Sequence, residues 1–300
     1  MVLLRKELKQ KVEAKLKKTT IKELTTYMKK KEISLWGQDK GKKFEGDCLL
    51  LALYHDLYGI GYNKIEQEIK NWRPLSAKSI RHNTKEVRKV LSGWSDKQLV
   101  LGDFQDWKYA SKKLSETEAK EGVNLLVDSS DFKKLQPVKH SLNSPEHSFK
   151  ENHYANRFTC IFDMKQRARV LYGPYSPKVD DNSFVRLMKP TMEESMKGAV
   201  ILGDCGYSAV AKEFQKIKMI TTISKPRGRV SKDGSGIRQL TKVQKTKNKM
   251  LKKLRSRVES PFGIIKQRWK TLSTCFMEDE TQHGLLVKLA LATYNFQLKK

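Results

Sequence analysis

The chain has 300 residues, with 61 Lys and Arg against 33 Asp and Glu and a formal net charge of +28. That excess opposes compaction unless a polyanion is close, and nucleic acid is the natural partner because each neutralised phosphate releases counterions. No apolar run approaches the roughly 18–20 residues of a spanning helix, and the opening MVLLRKELKQKVEAKLKK is too charged for a signal-peptide core, so neither membrane insertion nor secretion is expected.

Residues 1–45 are Lys-rich and read as helical, with Leu4, Leu8, Val12 and Leu16 at four-residue spacing giving one face that can dock. The expectation is a mobile basic arm. From residue 46 the character changes. DCLLLALYHDLYG reads as a buried helix ended by Gly59, YNKIEQEIKNW as a short second helix, and SAKSIRHNTKEVRKVL as a third, capped by Ser76 after a turn at Pro74. Ile80, Val87 and Leu91 give the third helix an apolar stripe, while Lys78, Arg81, His82, Lys85 and Arg88 load its other faces with donors. Short helix, tight turn and basic helix outline a helix-turn-helix, whose last helix enters the major groove. A trihelical pack without DNA contact has the same outline.

A Lys/Asp/Trp-rich connection (92–120) leads to strand patterns. VNLLVDSSDF is an apolar run meeting acids, RFTCIFDMKQRARVLYGPY reads as two strands around a tight turn at Met164–Gln166, and AVILGDCGY and KMITTIS supply two more. A helix is expected between Val185 and Met196, a basic loop over 225–242, and helix again from about Val243. Cys48, Cys160, Cys205 and Cys275 lie far apart without a CxxC, so they read as reduced, mostly buried thiols. His140, His147 and His153 fit no tight metal motif and read as exposed loop histidines.

Three acids stand out. Asp128 and Asp204 each follow a buried β run, which places them at the sheet edge where open α/β folds keep ligands. Two aspartates facing one pocket repel unless a divalent cation sits between them, and hard cations want oxygen ligands. Glu259 is the third, in the otherwise basic stretch RSRVESPFGIIKQRW. Val258, Phe262, Ile265 and Trp269 form a stripe that docks this segment, Gly263 leaves room one turn on, and Pro261 should kink or restart the helix. Asp131 is an alternative to Asp128. Thirteen Lys or Arg and one acid, Asp233, lie between Lys225 and Arg257, enough for a backbone track or for a solvated loop.

LLVDSSDF, ILGDCGYSA and RSRVESPFGIIKQRW together resemble the three motifs of DDE superfamily transposases and endonucleases, and look closest to the Harbinger/PIF–IS5-like group. Arg255, Val258, Glu259, Phe262, Gly263, Ile265, Lys266, Arg268 and Trp269 match its last motif. The first motif departs, with D-S-S where D-G-T is usual, and GPYSPKVDD is an altered form of the loop P-G-S-x-x-D. The resemblance covers roughly residues 46–300 and implies an α/β fold: an RNase H-like catalytic core preceded by an all-α helix-turn-helix region. The expected organisation is a basic helical arm (1–45), a helix-turn-helix region (46–110) and a catalytic domain (111–300).

The resemblance also implies an enzyme, a DDE transposase cutting and joining transposon ends. Asp128, Asp204 and Glu259 would be its catalytic and metal-binding acids, holding two Mg²⁺ with Mn²⁺ as substitute. DNA contacts would come from Lys78, Arg81, Lys85, Arg88, Arg255, Arg257, Lys266 and Arg268. The expected partners are double-stranded DNA at transposon ends and target, further copies of the chain in a homo-oligomer, and a Myb-like helper protein. The expected location is the nucleus in a eukaryote and the cytoplasm otherwise. A domesticated, non-cutting DNA-binding protein and another RNase H-like nuclease are the competing readings.

Overall fold

A computed structural model describes residues 2–31, 33, 35–36, 42–72, 74–101, 122–136, 142–223, 240–274 and 276–298, the side chains of 2–3, 42–43 and 257–260 excepted. Most of the connection at 92–120, most of the basic loop at 225–242, His140, Cys275 and the side chains of Arg257, Val258 and Glu259 therefore lie outside the described residues.

Helices α1 (Val2–Lys15), α2 (Lys18–Met28), α3 (Lys42–Tyr58), α4 (Tyr62–Ile69) and α5 (Ala77–Gln98) come first. The mobile-arm expectation is corrected. Leu8, Val12 and Leu16 are fully buried and α1 packs on α3, while Arg5 pairs with the buried Asp47 at 2.7 Å. Burying three aliphatic side chains contributes about 1.5–3 kcal/mol each, enough to dock a charged helix.

Gly59, at φ +64°, ends α3, a left-handed position where glycine has no Cβ penalty. Ser76 caps α5 by accepting from the Ser79 N–H at 3.2 Å. The connection is longer than the three or four residues of a helix-turn-helix: the chain turns at residues 70–72, the Trp72 N–H donating to the Ile69 carbonyl at 2.8 Å, and α5 starts only at Ala77. The apolar stripe of Ile80, Val87 and Leu91 extends to Trp94, and α5 is packed between α3 and the last helix.

A mixed sheet follows: β1 (Leu125–Lys133), β2 (His147–Ser148), β3 (His153–Asp163), β4 (Ala168–Tyr175), β5 (Val200–Gly203) and β6 (Lys218–Thr221). The order is β2-β3-β1-β5-β6, with β4 also on β3. Strands β1, β3 and β4 are antiparallel neighbours, whereas β5 joins β1, and β6 joins β5, in parallel. The β3–β4 turn has Gln166 at φ +66°, as the tight-turn reading requires. Strand β1 does not end at Asp128 but runs on to Lys133, because antiparallel β3 pairs with it along its whole length.

Period-two alternation on β1 separates two apolar layers. Leu126 and Phe132 face helices α7 (Lys242–Arg268) and α9 (Glu280–Leu298), in a core continuous with that of α1–α5; Leu125 and Val127 face α6 (Asp181–Ser195). Between α7 and α9 lies the short α8 (Lys270–Ser273). α7 runs on through Pro261, so the helix does not restart there. Its stripe docks as read: the Phe262 ring lies 6.0 Å from Phe132 and 5.4 Å from Phe162, with Ile265 and Trp269 buried beyond.

α6 begins four residues before its expected start, because Asp180 caps it by accepting from the Ser183 N–H at 3.0 Å. Cys48 and Cys160 are buried, whereas Cys205 is exposed. His147 is buried in β2 rather than exposed in a loop, and His153 opens β3. Among the described residues no helix is long and apolar enough to cross a membrane.

Candidate active site

β1 and β5 pair in parallel only at Leu125–Ile201 and Leu126–Leu202. Two residues beyond the last pair stand Asp128 on β1 and Asp204 just after β5, so both acids stand where the parallel strands part. Asp204 caps the short turn Cys205–Tyr207, accepting from the Gly206 N–H at 2.7 Å. Gly203 lets that turn fold back: a Cβ there would sit 2.7 Å from the Tyr207 ring. The Tyr207 hydroxyl reaches the Ser129 hydroxyl at 3.0 Å, and Ser129 also bonds Thr159 at 2.6 Å. The Ser129 hydroxyl of the altered D-S-S motif thus joins the two acid-bearing segments.

The acids face a polar cavity of about 260 Å³ lined by Asp128, Ser129, Asp131, Lys150, Arg157, Asp181, Asp204 and Arg255. Arg255, on α7, lies between the two aspartates, its Nη2 3.9 Å from Asp128 Oδ1 and 3.9 Å from Asp204 Oδ2. These separations exceed hydrogen-bond length, so the guanidinium balances both charges without locking onto either. Burial pushes the Asp128 carboxyl up to about 6; Arg255, the Ser129 N–H and Lys150 oppose that, and Asp204 adds to it. Burial also raises Asp181, against the nearby Arg157 and with the help of Asp204.

Asp131 is held differently. It is almost fully buried, takes two hydrogen bonds from the Arg157 guanidinium at 2.6 and 3.0 Å, and accepts a third from the Ser148 hydroxyl at 2.6 Å. Its oxygens are satisfied within the fold, whereas those of Asp128 look into the cavity.

The expected DNA contacts divide. Lys78 and Arg81 are exposed at the start of α5 and Lys85 is half-buried one turn on. Arg81 and Lys85 already approach Glu278 (3.4 Å) and Asp279 (3.2 Å). Arg88 corrects the reading. It is completely buried, its guanidinium paired with Asp56 and Glu278, because α5 packs under α9 and the chain before it. Lys266 donates to the Asp131 carbonyl at 2.6 Å and to Glu151 at 3.2 Å, with its ammonium 4.8 Å from the Phe132 ring centre. Arg268 is hydrogen-bonded to Gln297 on α9 and does not line the cavity. Glu259 lies on α7 one helical turn past Arg255, which does line it.

Lys150, Arg157 and Asp181 were not singled out as site residues by pattern. The signal for Asp181 is the doubled acid in GPYSPKVDD: one aspartate suffices as the helix cap, and the second is left over.

Two aspartates where neighbouring parallel strands part, with an arginine between them, define an α/β protein with a carboxylate-lined, anion-compatible site. The chain belongs to a transposase family: the family model described as "Transposase DDE domain" matches residues 125–296, from the first residue of β1 into α9. No curated protein and no solved structure matches the chain.

Proposed function

We propose that the protein is a DNA transposase of the Harbinger/PIF–IS5-like group, cutting and rejoining DNA through Asp128, Asp204 and Glu259. The observation that carries this is the meeting of Asp128 and Asp204 across one polar cavity, within a domain matched by the transposase family. The mixed sheet with acids on two adjacent parallel strands, backed by the helix bearing Glu259, supports an RNase H-like core.

The donor set suits a hard divalent cation. Asp128 and Asp204 offer carboxylate oxygens to the cavity, Asp181 Oδ1 is buried without a hydrogen-bond partner, and Gly206 leaves space beside Asp204 that a Cβ would fill. Asp128, Asp204 and Glu259 would hold two Mg²⁺, or Mn²⁺ in substitution, which when bound supply Lewis acidity and an activated nucleophile. Arg255 compensates the aspartates in the free protein and is in place to take a phosphate oxygen once cations do so. Ser129 and Tyr207 keep the two acid-bearing segments in register. Lys150, exposed at the rim, and the exposed Lys78, Arg81 and Lys85 would meet DNA backbone, consistent with a +28 chain. The helices before residue 110 would be the end-recognition part, with 111–300 catalytic. Action as a homo-oligomer, a Myb-like helper and a nuclear location in a eukaryote belong to the same proposal.

The test is Mg²⁺-dependent nicking of a terminal-repeat duplex by wild type and Glu259→Gln, with DNA affinity measured in Ca²⁺. Cutting should fall by orders of magnitude in the variant while binding is kept or tightened, since one acid leaves a basic surface. Equal nicking by both proteins would refute the role of Glu259. Binding without any nicking by wild type, helper protein included, would favour a domesticated DNA-binding protein.

A further inference from the structure

Asp181 stands at the first position of α6, but the cap is made by Asp180. It lines the same cavity as Asp128 and Asp204. The Ser129 hydroxyl serves its carboxylate, yet Oδ1 is buried with no hydrogen-bond partner. The nearest guanidinium, Arg157, gives both its arms to Asp131 and a further N–H to the Val179 carbonyl. A buried carboxylate oxygen left without a donor is costly, so its persistence calls for a ligand.

The turn opposite is shaped to admit one. A Cβ on Gly206 would lie 2.8 Å from Asp204 Oδ1 and 3.1 Å from Asp181 Oδ2, so the two carboxylates approach one spot that only a glycine leaves open. Two facing carboxylates attract a cation that is small and prefers oxygen.

We propose that Asp181 is a further cation-holding carboxylate of this site, taking one divalent ion together with Asp204 across the Gly206 turn. This rests on the two-cation reading above and adds a ligand that the three-acid motif does not contain. Asp181 is then what the doubled acid of GPYSPKVDD is for: Asp180 starts the helix and Asp181 faces the ion.

The experiment is a Mn²⁺ titration of the full chain without DNA, read by electron paramagnetic resonance and by calorimetry. Asp181→Asn should weaken one Mn²⁺ by tenfold or more, or remove it from the stoichiometry. Asp180→Asn, which keeps a competent cap and removes a neighbouring charge outside the cavity, should bind Mn²⁺ as wild type does. Without metal, Asp181→Asn should melt no lower than wild type, and it should show a smaller Mn²⁺-induced rise in Tm; a purely structural role predicts a lower metal-free Tm and unchanged Mn²⁺ binding. Wild-type Mn²⁺ binding by Asp181→Asn, with loss in Asp204→Asn, overturns this inference alone. No Mn²⁺ binding by wild type, or undiminished binding by Asp204→Asn, overturns the two-cation reading and this inference with it. Should Asp181→Asn fail to fold, Gly206→Ala fills the same space: reduced Mn²⁺ binding supports the proposal, and undiminished binding rejects it.

Discussion

Two clusters of buried charge show how one composition can serve opposite ends. Under α9, Arg88 is enclosed with Asp56 and Glu278, the Tyr62 hydroxyl donates to Glu278 at 2.9 Å, and every charge has a partner in contact. At the cavity, Asp128 and Asp204 share one guanidinium at 3.9 Å, and Asp181 keeps an oxygen with no hydrogen-bond partner. The first cluster is complete within the chain and holds it together. The second is incomplete, which suits a site whose remaining partner comes from outside. Completeness of pairing among the described residues, rather than burial or charge, is what distinguishes the two clusters.

The comparison can be broken most forcefully at Arg88. Arg88→Met leaves Asp56 and Glu278 buried without their cation and should cost about 3–5 kcal/mol, seen as a lower urea midpoint with unchanged slope. A loss below about 1 kcal/mol would mean that the cluster is not the structural one.

The aspartates of β1 sharpen the contrast within a single strand. Asp131→Asn breaks a bidentate pair with Arg157 and should destabilise by about 3 kcal/mol. Asp128→Asn removes a desolvated charge that Arg255 balances only at 3.9 Å, and should be neutral or stabilising in the absence of metal while abolishing cutting. The reverse pattern would move the catalytic assignment to Asp131.

A pH-dependent effect, smaller at any one pH step, is expected at His283, a buried ring. Its Nδ1 takes a hydrogen bond from the Asn156 amide at 3.1 Å, the ring stacks on Phe276, and burial with Arg88 and Lys134 nearby holds its pKa down to about 3. A histidine neutral in the folded state contributes stability that is present above its unfolded pKa and lost as pH falls toward the folded value. Stability should therefore drop by about 1.4 kcal/mol per pH unit below about 6.5, and His283→Gln should flatten that slope. Asp128, raised to about 6, works with the opposite sign over part of the window. The readout is thus the difference between wild type and the histidine variant, in which the Asp128 contribution cancels. Parallel curves would show that His283 binds its proton as readily in the fold as in the unfolded chain.

Local pattern was sufficient for much of this molecule. The four-residue stripe of α1, the cap at Ser76, the stop at Gly59, the β3–β4 turn and the docking stripe of α7 were all legible, because each depends on periodicity or on backbone chemistry within a few residues. The acids at 128 and 204 were legible for the same reason: apolar strands followed by aspartate announce themselves, and three spaced motifs carry the family resemblance.

What the sequence by itself determined is therefore most of the helices and strands, the transposase family and the segments that carry the acids. Tertiary structure alone decided what each charge does. Arg88 and Glu278 are 190 residues apart and meet only because α5 packs under the C-terminal chain, which turns an expected DNA contact into a core ion pair. The oxygens of Asp131 are taken up by Arg157 and Ser148, on strands that reach it through sheet pairing. Asp181 joins the cavity because α6 begins beside the Gly206 turn. A side chain's propensity is a property of its own few bonds, but the energy of a charge depends on the partners within a few ångströms, and those are brought there by the fold.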